Sequence, residues 1–441
     1  MAQVKALEPE YKYPKAVCTD EERQIAIEVR RFVDGEVMPR RQDLEGGWSR
    51  DEERARETLH MLYARCHQLG YTKISFSERV GGLGLSPVGI GIVFEELARG
   101  DVGLSLMVSK PAWVAAALIG TRRFDLMEEL APYFTGRDPW TVAVCITEPG
   151  GGANIEDPAL EFKTLRTTIR REGDEWVING HKIWPGHAGP PERYRSKWLK
   201  GHAGYLTIVT EDPKRGKDAV GLVYVPADAE GLSFSAPIKK CGFCWTDENA
   251  EIWYENVRVP LRYRLDTKPG QAAKVIEGYI IAIGRLQSSA FLLGAAEACL
   301  EAVLEWTGNR EIAGKPVRER SFAAMILGEM IRAVDAARLY YLTTLREFEV
   351  ARVPPWNPLL RARFSAVRSF AADAAEFVIN KAMELMGAYG YAYEYNIEKY
   401  YRDFKMVKLW LGGPQRDRLD IAQGVYGPFR WGGQEEWEKT P

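Results

Sequence analysis

A chain of 441 residues with a net charge of -2 and 27% charged residues has the composition of a folded globular protein of two or three domains. The near-zero charge gives no basic face for nucleic acid, and the hydrophobic content excludes a disordered chain. The longest apolar run, Ala112 to Gly120, is too short to cross a bilayer. Six scattered cysteines without a secretory signal ahead of them predict reduced thiols in a cytoplasmic protein.

The sequence divides into three parts of different texture. Residues 1–138 contain helical patterns such as EERQIAIEVRRFV and SRDEERARETLHMLYARCHQLG. Residues 139–260 contain short β-rich runs separated by turn signals, including KTLRTTIR and YLTIVT, which predicts antiparallel strands in a barrel or sandwich. Residues 261–441 return to a helical period, which predicts a bundle. This order, with no GxGxxG after a strand, argues against a Rossmann fold.

Two stretches of the β-rich part could contact a cofactor. Cys145-Ile-Thr-Glu-Pro-Gly-Gly-Gly-Ala153 leaves a strand and enters a flexible turn, where glycines let backbone amides approach a ligand and Thr147 can donate to one. An ordinary barrel-corner loop would have the same residues. Asn179-Gly-His-Lys-Ile-Trp184 brings a large flat ring that would either stack on a cofactor or fill the core.

Two stretches of the helical part have glycines near the end of a predicted helix. Gly387-Ala-Tyr-Gly-Tyr391 would either cap a helix or admit a pyrophosphate. The stretch RDFKMVKLWLGGP ends in three helix breakers, Gly412, Gly413 and Pro414, directly after the apolar Leu411.

Taken in order, these stretches resemble the acyl-CoA dehydrogenase family. The resemblance covers nearly the whole chain, through VGGLGLSP, VFEELARGD, CITEPGGGA, NGHKIW, YENVRVP, GNREIAGKP and MGAYGYAYEYNIEKYYRD. It implies an α+β fold with an N-terminal α-helical domain, a middle antiparallel β-barrel and a C-terminal four-helix bundle. The corresponding domain boundaries are 1–138, 139–260 and 261–441.

The resemblance also implies a reaction. In this family FAD lies between barrel and bundle, and an acyl-CoA thioester is held against its ring. A carboxylate removes the α-proton while the β-hydrogen leaves as a hydride to the flavin. The bundles pair into tetramers, and an electron-transferring flavoprotein or another acceptor takes the electrons.

The resemblance assigns cofactor contacts to named positions. Thr147, Trp184, Gly387 and Gly412 match the family's motifs by identity. The full set of predicted FAD contacts is Cys145, Thr147, Gly152, Ala153, Trp184, Gly186, Arg310, Gly387, Ala388, Gly412 and Gly413. Arg285 is predicted to bind substrate.

The departures from the family concern its catalytic groups. The family's catalytic glutamate falls on Leu411, and the family's second location for that base falls on Gly284. Neither residue can accept a proton, so the catalytic residue stays unknown from the sequence. The hydroxyl that would bond the flavin N5 falls on Gly186, and Ala153 and Ala313 replace a serine and a phenylalanine. The replacement bases that we consider are Asp247, Glu248, Tyr389 and Tyr391.

Two further features have no counterpart in the motifs. Residues 187–203 form an insertion rich in cations and aromatic rings, which is either a lid or anion clamp or else a solvated loop or subunit contact. The residues that suggest a clamp are Arg193, Tyr194, Arg195, Lys197, Trp198 and Lys200. Cys241-Gly-Phe-Cys244 is a single CxxC without a second ligand pair, so no metal is predicted.

Three hypotheses follow. The first is an FAD-dependent acyl-CoA dehydrogenase-like enzyme with a relocated base. The second is a related enzyme with a different acyl-CoA reaction, an elimination or an oxygenation. The third is a catalytically silent subunit that supports a partner chain with an intact glutamate.

Overall fold

The computed structural model describes residues 8–151, 161–243, 245–351 and 353–427. Its first part is helical. The helices are α1 (Pro9–Lys12), α2 (Asp20–Phe32), α3 (Arg41–Leu44), α4 (Glu52–Gln68), α5 (Pro87–Gly100), α6 (Val102–Thr121), α7 (Phe124–Leu130) and α8 (Pro132–Thr135). Helix α6 begins where the Asp101 side chain accepts a hydrogen bond from the Leu104 N–H at 2.7 Å, which is an N-cap. This cap fixes the start of the helix that forms one wall of the site.

A curled seven-stranded sheet follows. Its strands are β1 (Trp140–Cys145), β2 (Thr168–Glu172), β3 (Glu175–Lys182), β4 (Gly201–Thr210), β5 (Val220–Pro226), β6 (Leu232–Phe234) and β7 (Ile252–Pro260). The order is β1-β4-β2-β3-β7-β6, with β5 paired to β4. The fold class is as the sequence predicted, in its three parts.

Two details of the sheet differ from the sequence prediction. Strands β1 and β2 pair with β4 in parallel, whereas the sequence predicted antiparallel strands throughout. The long connections to β4 allow this, because parallel neighbours need a crossover and not a tight hairpin. The run KTLRTTIR forms a strand only from Thr168 onward, and the short strand β6 was not predicted.

The last part is helical again. Helix α9 (Gln271–Val275) continues through a π-helical turn (Ile276–Ala282) into α10 (Ile283–Asn309), and a small hairpin of β8 (Glu311–Ile312) and β9 (Lys315–Pro316) follows. The remaining helices are α11 (Ser321–Val350), α12 (Pro358–Met386), α13 (Ala388–Tyr391), α14 (Ile397–Leu409) and α15 (Gly413–Tyr426). The π-helical turn ends just before Gly284, and such turns often occur at functional sites.

The main apolar core is shared between the first and last parts of the chain. One cluster joins buried residues of α2, α4, α5 and α6 to those of α10, α11, α12 and α14. A second cluster lies between α6 and the outer face of the sheet, and a third lies inside the curled sheet. Helices that precede the sheet in the chain share one core with helices that follow it. The domain boundaries drawn from the sequence therefore stay a prediction.

Two helical segments, Val102–Thr121 and Gln271–Asn309, are long and apolar enough to cross a membrane. In each of them, 78% of the apolar window is buried inside the protein. This burial is typical of core helices, and both segments contribute to the clusters described above.

Candidate active site

A cavity of about 510 Å³ lies where the sheet, α6 and the end of α14 meet, and we call it the junction cavity. Its lining comprises Leu106, Lys110, Trp113, Val144, Ile146, Thr147, Ile183, Trp184, Pro185, Gly186, Asp247, Asn249, Met406, Leu409, Trp410, Leu411 and Gly412. Most of these side chains are apolar. Among the residues that the structure describes, Lys110 and Asp247 are the only charged ones in the lining.

The junction cavity brings together five of the positions predicted from the sequence: Thr147, Trp184, Gly186, Leu411 and Gly412. The Thr147 carbonyl accepts a hydrogen bond from the Ile183 N–H at 2.9 Å, which ties the exit of β1 to the exit of β3. Trp184 follows β3 with a positive φ of 68°, and its side chain is 42% exposed. Strained backbone of this kind is concentrated at functional sites.

Several predicted cofactor contacts lie elsewhere. The Cys145 thiol is buried in the core of the curled sheet, and burial raises its pKa to about 11. The Arg310 guanidinium lies 5.9 Å from the centre of the Tyr389 ring, and Tyr389 directly follows Gly387 and Ala388 in sequence. Arg310 does not line the junction cavity. Gly413 follows Gly412 in sequence and is the first residue of α15. The predicted contacts Gly152 and Ala153, and Cys244 of the CxxC pair, lie outside the described residues.

A second cavity of about 400 Å³ lies beside the first, and we call it the apolar cavity. It is enclosed by α5, α6, α10 and α11, and Trp113 lines both cavities. Its other lining residues include Ile90, Phe94, Ile119, Ile283, Gly284 and Leu345. The two cavities are therefore neighbours, with the Trp113 side chain at their boundary.

The two family positions for the catalytic base meet at this boundary. A Cβ added to Gly284 would lie 3.1 Å from the Leu411 Cδ1 atom and 3.0 Å from the Trp113 ring. The two positions that the sequence comparison gave for the base are therefore neighbours in space. Neither side chain carries a carboxylate.

A buried arginine, Arg285, binds the backbone of Leu411. The Arg285 Nε and Nη2 atoms donate to the Leu411 carbonyl at 3.0 and 2.9 Å, and Nη1 donates to Ser365 Oγ at 3.1 Å and to Asp420. All three guanidinium nitrogens have protein partners. The predicted contact of Arg285 with substrate stays a prediction, and what the structure shows is support of the Leu411 loop.

A second buried arginine supports the same segment. The Arg368 Nη2 atom donates to the carbonyls of Val407, Lys408 and Trp410 at 3.0, 3.0 and 2.6 Å. Its Nη1 atom donates to Asp417 at 2.7 Å. The last carbonyls of a helix have no partner within the helix, so this arginine caps the C-terminal end of α14.

Of the four replacement bases considered from the sequence, only Asp247 lines the junction cavity. Its side chain is 2% exposed, and a Cβ added to Gly186 would lie 2.0 Å from its Oδ1 atom. The carboxylate therefore occupies the space that a side chain at position 186 would fill. Glu248 is instead held by Arg193 Nη2 at 2.6 Å, and Tyr389 and Tyr391 are exposed outside this cavity.

The Asp247 carboxyl faces a histidine of the insertion. The His187 Nδ1 atom lies 3.2 Å from Asp247 Oδ1, and its Nε2 atom lies 3.2 Å from the Thr246 carbonyl. Both ring nitrogens therefore face oxygen acceptors. Burial lowers the pKa of the His187 imidazole to about 4, so the ring is neutral at pH 7 and carries one proton.

The neutral His187 ring has one N–H group, but oxygen acceptors face both of its nitrogens. When the proton of His187 is on Nε2 and donates to Thr246, the Nδ1 lone pair faces the Asp247 carboxylate, and neither atom has a hydrogen-bond partner in the described structure. Burial raises the pKa of Asp247, but Lys110 and Lys240 together hold it below its ordinary value, so the carboxyl is ionised. A proton that arrives on Oδ1 would supply the missing hydrogen bond.

The insertion at 187–203 packs on the loop that carries Asp247. The His187 N–H donates to the Glu248 carbonyl at 2.8 Å, and Arg193 bridges Glu248 and Glu52. The Tyr194 ring lies 5.1 Å from the ring of His202. The prediction of a lid or anion clamp stays untested, whereas these contacts show that the segment fixes the position of residues 246–248.

Lys110, Trp113, His187 and Asn249 were not predicted as site residues. Lys110 is the one charged residue in the apolar run VGLSLMVSKPAWVAAALIG of α6, and that isolated charge is a signal the sequence does carry. Trp113, His187 and Asn249 gain their significance from contacts across the fold. Among the described residues, no group of three His, Cys, Asp or Glu side chains is arranged to hold a metal ion.

The helical part, the curled sheet and the helical bundle meet at the junction cavity. This arrangement defines a class of three-part protein with a ligand site where the parts meet. The sequence model of the acyl-CoA dehydrogenase N-terminal domain matches residues 19–122, and that of the acyl-CoA dehydrogenase C-terminal domain matches residues 274–426. The chain belongs to the acyl-CoA dehydrogenase family, whose members are FAD-dependent.

Relatives of similar length support the assignment. A probable acyl-CoA dehydrogenase of Mycobacterium leprae is 25% identical over 413 residues, covering 92% of this chain and 95% of the relative. Benzylmalonyl-CoA dehydrogenase of Aromatoleum aromaticum is 27% identical over 414 residues, covering 92% and 98%. The butyryl-CoA dehydrogenase structure from Megasphaera elsdenii has a TM-score of 0.78 at 21% identity, covering 93% of this chain and 99% of that chain, and shares the fold.

The lining of the junction cavity fits a flavin ring. The half-exposed Trp184 ring is a flat apolar surface on which another planar ring can stack, and Trp410 and Leu411 lie on other parts of the wall. Thr147 and Asn249 add polar groups to an otherwise apolar lining. This combination of planar apolar surfaces with a few polar groups is typical of cofactor sites.

Proposed function

We propose that this chain is an FAD-dependent oxidoreductase that oxidises an acyl-CoA thioester, with Asp247 as the proton acceptor in place of a carboxylate at position 411 or 284. One observation carries the proposal. Within the described residues, Asp247 is the only carboxylate in the junction cavity, and its Oδ1 atom is buried without a hydrogen-bond partner.

The chain's own residues divide the work as follows. Thr147, Trp184 and Gly412 would hold FAD, which supplies a hydride acceptor when bound. The α-proton of the thioester would pass to the Asp247 carboxylate as the β-hydrogen leaves as a hydride, so that two C–H bonds break and a C=C bond forms. The new O–H group then donates to His187 Nδ1, 3.2 Å away, which stabilises the protonated state.

Asp247 is ionised before substrate binds. Burial raises the pKa of its carboxyl, but the nearby cations hold that pKa below the ordinary value. The ionised carboxylate is the form that can accept a proton.

The apolar cavity is suited to the alkyl part of such a substrate. Its walls are aliphatic and aromatic side chains, and burial of each methylene there is worth about 0.8 kcal/mol. Its contact with the junction cavity at Trp113 would let one ligand extend through both.

The test compares two histidine-paired carboxylates. Asp247→Asn should keep the bound flavin but slow substrate-dependent flavin bleaching by about 10²- to 10⁴-fold, the usual contribution of a general base. The matched control is Glu251→Gln, because Glu251 pairs with His181 at 2.6 Å outside the cavity lining. Stopped-flow absorbance measures both, and equal rates in the two variants would refute the role of Asp247.

Other outcomes separate the remaining hypotheses. Purified protein without a yellow flavin band, even after FAD is added, would remove the proposal altogether. Consumption of the thioester without reduction of an electron acceptor would support an elimination in its place. Flavin-loaded protein that is inactive alone but active with a partner chain would support a silent subunit.

We also propose an oligomer and an electron acceptor. Arg310, Gly387 and Ala388 lie away from the junction cavity, and exposed apolar side chains lie on α11 and α12, including Met325, which is 72% exposed, and Leu359. A homotetramer or hetero-oligomer would cover this surface. Sedimentation should give four times 49.8 kDa for a homotetramer, and 49.8 kDa alone would contradict self-association. Steady-state assays should show reduction of an electron-transferring flavoprotein or a similar acceptor.

A further inference from the structure

Among the described residues, the junction cavity has one cation in its lining, and that cation, Lys110, has no partner there. The Lys110 side chain is only 9% exposed, and its ammonium group makes no hydrogen bond or ion pair with the described residues. It lies on α6 directly before Pro111, between Leu106 and Trp113, which also line the cavity. Buried lysines are almost always paired, because a buried ammonium without a counter-ion is costly.

We propose that Lys110 binds a carboxylate carried by the substrate's acyl group, so that this chain acts on CoA thioesters with a second, acidic end. The inference rests on the proposed function and names the substrate class of the same site. The rest of the described lining offers such an anion no other cation and only Thr147 and Asn249 as neutral polar side chains. An uncharged acyl chain would offer the ammonium no anionic partner.

Asp247 does not fill this role. Lys110 and Asp247 form no ion pair among the described residues, and Lys110 acts on the Asp247 carboxyl only at longer range. The other groups that face Asp247 are Lys240, whose ammonium donates to the Asp247 carbonyl and to Asn249, and His187. The three donor hydrogens of Lys110 are therefore available to a ligand.

Binding of a carboxylate at Lys110 would also act on the base. An anion beside the ammonium cancels a positive charge that lowers the pKa of Asp247, so the carboxyl becomes more basic when the acidic substrate is in place. A substrate without the second carboxylate would lack this effect. Recognition of the acyl group and activation of the base are coupled through one lysine.

The experiment compares matched pairs of thioesters by calorimetry on the oxidised, flavin-loaded protein, so that no turnover is needed. The probes are butanoyl-CoA and succinyl-CoA, hexanoyl-CoA and adipoyl-CoA, and octanoyl-CoA and suberoyl-CoA. We expect the carboxylated member of at least one pair to bind roughly 10- to 100-fold more tightly, as a charge-assisted hydrogen bond in a buried site allows. Lys110→Met should abolish that preference, and Lys110→Arg should retain most of it.

Lys405→Met is the matched control, because Lys405 lies on α14 at the surface, is paired with Glu376 and is absent from both cavity linings. Equal affinity within every pair, or an equal loss for both members in Lys110→Met, would overturn the inference while leaving the proposed function intact. A shift of the flavin reduction potential in Lys110→Met without any change in pair preference would assign the cation to the flavin and also overturn it. Failure of every thioester to bind would reject the proposed function itself.

Discussion

Leu411 is placed as a catalytic side chain would be, yet it cannot exchange a proton. Its backbone has a positive φ of 52°, its carbonyl is held by Arg285, and its side chain lies beside Gly284 at the boundary of the two cavities. A leucine in the left-handed region costs roughly 1 kcal/mol or more of conformational energy. The surrounding contacts hold that conformation irrespective of the side chain.

A carboxylate can therefore be introduced at this position. Leu411→Glu in the Asp247→Asn background should restore flavin bleaching by an acyl-CoA thioester, by about 10²-fold or more over the single variant, because a general base is returned to the site. Anaerobic stopped-flow absorbance measures the rate. A double variant with intact flavin and no gain in rate would show that more than the base differs at this site.

The companion position does not tolerate the same change. A Cβ at Gly284 would lie about 3 Å from both Trp113 and Leu411, so the wall between the cavities must move to admit it. Gly284→Glu serves as the contrast to Leu411→Glu, with lower thermal stability expected in the first variant.

At the scale of elements, the end of α14 depends on Arg368. This side chain is fully buried and satisfies three carbonyls of the segment that leads into Leu411 and Gly412. It also neutralises Asp417 of α15. The arginine thus connects α12, α14 and α15 beside the segment 409–412 that lines the junction cavity.

Arg368→Met should lower the free energy of unfolding by about 3–5 kcal/mol, because it leaves buried carbonyls without donors and a buried carboxylate poorly compensated. Arg418→Met is the matched control: Arg418 also pairs with an aspartate, Asp373, but its side chain is 54% exposed, and the expected loss is about 0–1 kcal/mol. Urea denaturation followed by circular dichroism measures both. Similar losses in the two variants would contradict the capping role of Arg368.

The elements differ in how far the sequence could predict them. The long helices α11 and α12 have apolar periods, so their part of the fold is predictable. The parallel pairing of β1 with β4 is not, because a strand's own residues carry little information about its neighbour's direction. Of the motif residues matched by identity, Thr147, Trp184 and Gly412 line the junction cavity and Gly387 does not. Asp247 was one of four candidate bases until its burial beside Gly186 was visible. His187 could not be paired with it from sequence, since the two are 60 residues apart.

At the scale of the whole molecule, a buried charge network fastens the N-terminal segment to the helical core. The Glu96 carboxylate accepts from Lys12 Nζ at 2.8 Å and Tyr13 Oη at 2.9 Å, and it pairs with Arg30 and Arg99. Lys12 also reaches Glu297 of α10. Burial raises the pKa of Glu96, but these cations outweigh it and hold the pKa well below its ordinary value.

This network predicts a specific acid sensitivity. The folded-state pKa of Glu96 is depressed, so the stabilising contribution of this carboxylate is complete above its unfolded pKa of about 4.3. The contribution is lost progressively as the pH falls from that value toward the folded-state pKa. Glu96→Gln should lower the unfolding free energy by about 3–5 kcal/mol at pH 7, and the difference from the unmodified protein should shrink by pH 3.5.

Chemical denaturation at the two pH values tests this sign. Glu128→Gln is the control, because Glu128 is 57% exposed and pairs only with the exposed Arg79 among the described residues. A difference for Glu96→Gln that is constant or grows toward pH 3.5 would contradict the proposed linkage.

The support beneath Leu411 also bears on how this protein could have diverged. Arg285 and Arg368 bind main-chain carbonyls, so the shape of the loop is specified without reference to the side chain at position 411. A proton-accepting residue could be lost or regained there over evolutionary time without rebuilding the surrounding helices. The side chain at position 411, and with it the reaction, can therefore change more readily than the fold.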